Sequence, residues 1–72
     1  MKRAELIKYR GEKSQADMGK KYNVSQQAWS SWEKGEKTPG VAIMKQIEND
    51  SGIPMEKLFF DVFNNERLLR TE

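Results

Sequence analysis

The side chains that carry out most protein catalysis are scarce in this sequence. There is no Cys and no His among the 72 residues. Their absence excludes a thiol nucleophile, a disulfide framework, a Cys-based zinc site, the commonest general base and the commonest metal ligand. No pair of acids sits in an apolar setting, and no Gly-rich loop is available to cradle a phosphate. No catalytic residue, metal or cofactor is therefore expected. What remains is non-covalent chemistry. The run Gln26-Gln27, followed by Ser30-Ser31, offers amide and hydroxyl donors and acceptors. The basic groups offer attraction for a polyanion, and they are unevenly spread. Residues 1–37 hold nine basic and five acidic groups, a net +4, whereas residues 38–72 hold four basic and six acidic, a net −2. The overall +2 thus hides a basic half, as expected of a face that meets an anionic partner. Chance asymmetry on a solvated surface would give the same counts.

Such groups act only if short, rigid elements hold them. A chain of 72 residues with 36% apolar residues and seven aromatics suits one small globular domain, stable by only a few kcal/mol. Punctuation divides it into helical pieces. The first runs from about Lys2 to Gly11, with Leu6, Tyr9 and Ile7 as its apolar stripe. Ser14 caps a second helix over 14–22, and Ser25 caps a third over 26–34 that Gly35 closes. Glu36-Lys37-Thr38-Pro39-Gly40 reads as a loop. Val41, Met44, Ile47 and Ser51 are spaced as one face of a fourth helix, ended by Gly52. Ile53-Pro54 opens a fifth, with Met55, Leu58 and Phe59 facing the core. The longest apolar run, Val41-Ala42-Ile43-Met44, is far short of the roughly 20 residues that span a membrane. No signal-like N-terminal stretch is present, so a cytoplasmic protein without a membrane partner is expected.

The second and third helices are joined by only Asn23-Val24-Ser25. Counted from Gln15, the fourth position is apolar (Met18), the fifth small (Gly19) and the eighth apolar (Tyr22). The ninth tolerates a positive φ (Asn23), the tenth is apolar (Val24), and Trp29 and Trp32 fall at fifteen and eighteen. Each requirement is physical: the small residue allows a close crossing, the turn residue reverses the chain, and the apolar positions hold the two helices at a fixed angle. Ser14-Gln15-Ala16-Asp17-Met18-Gly19, with Ser25-Gln26-Gln27-Ala28-Trp29-Ser30-Ser31-Trp32-Glu33-Lys34-Gly35, resembles the helix-turn-helix of the lambda-repressor-like, Cro and Xre-type regulators. The resemblance continues through Pro39, Val41, Met44, Ile47, Gly52-Ile53 and Leu58-Phe59, and so covers roughly residues 5–60. Three departures stand out. The turn after Arg10 is two residues shorter than usual, Gly19 replaces the usual Ala, and Trp29 replaces an aliphatic residue. The last two suggest that the lost methyl group compensates the larger ring.

The resemblance implies an all-α, compact five-helix DNA-binding domain over residues 1–60, with a tail over 61–72 as a candidate dimerisation segment. In a helix-turn-helix the start of the second motif helix enters the major groove. That makes Gln26 and Gln27 the main base readers, since Gln matches adenine N6 and N7, with Ser31 secondary and Ser30 weaker. Gln15 matches a family phosphate-contact position, and Lys13, Lys37 and Thr38 are further phosphate candidates. The resemblance also pairs Arg10 with Glu33 as a structural ion pair, the alternative for Arg10 being a direct phosphate contact. Trp29 and Trp32 belong to the core rather than to base stacking. The implied partner is double-stranded DNA bearing a palindromic operator, bound by a homodimer, with no small-molecule ligand evident. Candidate dimer surfaces are the segment between the fourth and fifth helices and the tail, where Val62, Phe63, Leu68 and Leu69 are a natural pairing surface if the tail is exposed. The implied role is a small repressor. The alternative is an antitoxin or an adaptor that uses the same fold to bind protein.

Overall fold

The computed structural model describes residues 1–63. Five helices follow one another: α1 (Ala4–Arg10), α2 (Gln15–Lys21), α3 (Gln26–Lys34), α4 (Val41–Ser51) and α5 (Met55–Leu58). A further helical turn occupies Phe60 to Phe63, and no strand occurs among the described residues. The fold is the all-α arrangement that the punctuation implies.

Local chemistry sets most of the ends. The hydroxyls of Ser14 and Ser25 accept the backbone N–H of Asp17 and Ala28, each at 3.0 Å, satisfying donors that α2 and α3 cannot pair internally. Asn23 takes φ 61° between them. Gly35 closes α3 in the left-handed region at φ 76°, where a Cβ would also lie 2.9 Å from the Met1 carbonyl oxygen. Helix α1 begins at Ala4, later than the expected Lys2. Arg3 is extended there (φ −89°, ψ 89°), because its N–H donates to the Glu33 carbonyl at 2.8 Å.

Leu6, Met18, Tyr22, Trp29, Trp32, Met44, Ile47, Leu58 and Phe59 form the core. Tyr22 stacks on Trp29 with centroids 5.7 Å apart, and Trp32 meets Trp29 at a tilt, 5.6 Å away. Val41 departs from its expected place on the inner face of α4: it is 72% exposed. Steps of three fall about 60° short of a full turn. Val41 therefore lies about 60° from Met44 and about 120° from Ile47 around the axis, and Ile43 packs against the core instead.

The proposed exchange of volume between Gly19 and Trp29 is also corrected. A Cβ on Gly19 would meet main chain, not the indole: the Val24 carbonyl oxygen at 2.7 Å and the Ser25 carbonyl oxygen at 2.9 Å. Gly19 makes room for the turn, which bends back to place the Val24 N–H 2.8 Å from the Gly19 carbonyl. The packed body also continues past the expected boundary at residue 60. Val62 and Phe63 lie half-buried against the core, and Asp61 binds Arg3. Part of the surface of Val62 and Phe63 is therefore already committed to this domain. Leu68 and Leu69, with the rest of the 61–72 tail beyond Phe63, lie outside the described residues. Among the described residues no helix is long and apolar enough to cross a membrane.

Candidate nucleic-acid interface

Helix α3 is divided lengthwise. Trp29, Trp32 and Glu33 are buried, which turns the opposite side outward. At about 100° per residue, Gln26, Gln27, Ser30, Ser31 and Lys34 share an outward arc of about 140°. Gln26, Gln27 and Lys34 are exposed, and Ser30 and Ser31 are half-buried. The Ser31 hydroxyl donates to the Gln27 carbonyl at 2.9 Å, a local bond that fixes its rotamer but leaves its lone pairs available. The Gln26 and Gln27 side chains bond to nothing among the described residues. Lys34 was absent from the sequence-based candidates, although its place seven residues after Gln27 puts it on their stripe.

The inner side is locked by one carboxylate. Glu33 is 3% exposed and accepts from Arg10 Nε at 2.6 Å and Arg10 Nη2 at 3.3 Å. It also accepts from Gln15 Nε2 at 3.0 Å and Trp29 Nε1 at 2.6 Å. Burial by itself raises the Glu33 carboxyl, but hydrogen bonds from Arg10, Gln15 and Trp29 and the Arg10 charge outweigh it. The group is held below its ordinary value and stays ionised. The knot ties α1, the start of α2 and α3 into one unit. It also explains the aromatic at position 29, since an aliphatic residue there could not donate to Glu33.

The same knot constrains the phosphate candidates. The third arm of Arg10, Nη1, donates to the Lys13 carbonyl at 2.9 Å. Three of the five Arg10 N–H groups are thus engaged, and the residue stands as the ion-pair partner of Glu33. Gln15 has one amide hydrogen committed to Glu33 and a second left over. The side chains of Lys13 and Lys37 are exposed. Thr38 is exposed as well, but its Oγ1 accepts from Arg3 Nη2 at 3.0 Å. A shallow pocket of about 220 Å³ opens beside the knot, lined by Lys2, Ile7, Arg10, Gln15, Glu33 and Lys34.

Two further groupings had no sequence signal. Arg3 is 1% exposed and packs 5.1 Å over the Phe59 ring. It binds Asp61 through both carboxylate oxygens, at 2.9 Å each. The Arg3 bonds hold the Asp61 carboxyl below its ordinary range, against the raising effect of burial. The Tyr9 and Tyr22 hydroxyls meet at 2.8 Å, and Tyr22 donates to Asp50 at 2.8 Å. This chain joins α1, α2 and the end of α4. Burial and these neighbours push the Tyr22 phenol well above its usual value.

Comparison with known proteins agrees with this geometry. The helix-turn-helix family model matches residues 5–58, which takes in all five helices. No curated protein and no solved structure matches the chain.

Proposed function

The chain belongs to the lambda-repressor-like, Xre-type helix-turn-helix family of DNA-binding regulators, and on that premise we propose that it is a small repressor that reads the major groove of double-stranded DNA with α3. The observation that carries this reading is the division of α3. Its inner side is locked by Trp29, Trp32 and Glu33, while Gln26 and Gln27 stand exposed and unengaged at its leading end. A rigid helix presenting free amides is what base-edge recognition requires. Gln26 and Gln27 are the main readers and Ser31 and Ser30 the secondary ones. Lys13, Lys37, Thr38 and the free amide hydrogen of Gln15 contact phosphates, and Lys34 joins them from the outward stripe. One such helix contacts only a few base pairs, so a homodimer on a palindromic operator, with half-sites about one turn apart, supplies the specificity.

Selection of bound sites from a random duplex library gives the half-site and its spacing. Gln27→Ala is then compared with wild type on the selected duplex and on random duplex. Affinity for the selected site should fall by about 1–3 kcal/mol, the usual range for a bidentate base contact, with random-duplex affinity unchanged. Equal loss on both would remove Gln27 from base reading. A wild-type chain that binds no duplex at any salt concentration would be an adaptor or antitoxin instead.

A further inference from the structure

We propose that Arg3 is a positioning residue for DNA-backbone contact: it fixes the Lys37–Thr38 loop and is itself oriented by Asp61, so that the segment after α5 sets how firmly the loop holds a phosphate. The proposal rests on the DNA-binding reading above. A guanidinium has five N–H donors in a rigid fork, and here all five are used. Nε and Nη2 bind the two Asp61 oxygens. Nη1 donates to the Trp32 carbonyl at 2.9 Å and the Lys37 carbonyl at 2.8 Å. The remaining Nη2 hydrogen goes to Thr38 Oγ1.

Two of these bonds act on the loop that would face DNA. The bond to the Lys37 carbonyl fixes the peptide after the Lys37 side chain. The bond to Thr38 occupies a lone pair of its hydroxyl, which leaves the O–H as an outward donor. The Trp32 bond anchors the fork to the last turn of α3, so the loop is referred to the reading helix and not only to its own residues. The loop's other ties, from the Glu36 and Lys37 N–H groups to the Ser31 carbonyl at 3.0 and 3.4 Å, fix its start and not Thr38. Asp61 neutralises the buried cation and sets the plane of the fork. Lysine could keep the charge but not serve these partners at once, because it has three donors and no plane.

The test is duplex affinity of the full chain against salt concentration for wild type, Asp61→Asn, Arg3→Lys, Lys37→Ala and Asp61→Asn combined with Lys37→Ala. Each is measured at a temperature where circular dichroism shows it folded. The probe is a random-sequence duplex. A lost phosphate contact lowers the slope of log affinity on log salt by about 0.9, so that raising salt from about 50 to about 200 mM costs about threefold less affinity. Asp61→Asn and Arg3→Lys should each give a reduction of that size, matching Lys37→Ala, and Asp61→Asn should add nothing in the Lys37→Ala background. An unchanged slope with a lowered Tm makes the Arg3–Asp61 pair a purely structural tie and overturns the proposal, as does a loss additive to Lys37→Ala. A wild-type chain with no salt-dependent binding overturns the DNA-binding reading first, and this proposal with it.

Discussion

Two buried ions organise this domain, and they are built in opposite senses. Glu33 is an anion ringed by donors from Arg10, Gln15 and Trp29. Arg3 is a cation whose donors go to Asp61, Thr38 and two carbonyls. The Glu33 partners are all side chains, drawn from α1, α2 and α3. The Arg3 partners lie 29 to 58 residues away, and half of those it serves are main chain. The first knot ties α1 and the start of α2 to α3. The second closes the chain, joining its first residues to the turn after α5 across the α3–α4 loop. A knot of side chains is specified by residue types at fixed spacings, whereas a knot that uses carbonyls is specified only by the path of the backbone.

The sharpest way to break the comparison is to remove the anion. Glu33→Ala leaves the buried Trp29 indole N–H without its acceptor and frees Arg10. Loss of one member of a buried pair costs about 3–5 kcal/mol. Arg10 can reach water, so a loss near about 3 kcal/mol is expected, read as a drop in the urea midpoint at constant m-value. A loss under about 1 kcal/mol would mean the knot adds little.

Acid titration distinguishes the two ions next. Glu33 and Asp61 are both held below their ordinary values in the fold. Each therefore contributes stability that is present above its unfolded value and lost as pH falls through its folded one. Urea midpoints should be flat down to about pH 5 and then decline. Glu33→Gln should flatten that decline more than Asp61→Asn, because the ionised Glu33 accepts four hydrogen bonds from three side chains, whereas Asp61 accepts two from one. The reverse order would assign the dominant acid-labile contact to Arg3.

The smallest effect lies in the turn. Gly19→Ala adds a methyl group against the Val24 and Ser25 carbonyls. The overpacking cost of about 1–3 kcal/mol outweighs a gain in helix propensity of up to about 1 kcal/mol. A net loss near about 1 kcal/mol is expected by thermal melting. Shrinking Trp29 in the same chain should not rescue it, because the obstruction is main chain.

Much of this fold is written in local signals. Ser14, Asn23, Ser25, Gly35 and Gly52 mark their own positions, because a cap or a left-handed turn depends on a few neighbouring residues. The Arg10–Glu33 pairing is legible through the family resemblance, and Trp29 with Glu33 at i, i+4 could have been read from helical spacing alone. Val41 misled because an apolar residue in a first turn fits two faces until the helix axis is known. The Tyr9–Tyr22–Asp50 chain depends on where α4 ends relative to α1 and α2, which no spacing encodes. Arg3 resembles any other N-terminal basic residue in the sequence, since its burial follows from carbonyls that every residue carries.

The lengthwise division of α3 separates two alphabets in one helix. Letters at 29, 32 and 33 spell the scaffold, and the exposed side chains at 26 and 27 carry no bonds to it. Substitutions confined to such exposed positions usually change stability by less than about 0.5 kcal/mol. These two outward letters can therefore be rewritten while the domain stays folded, without first rebuilding the body that presents them.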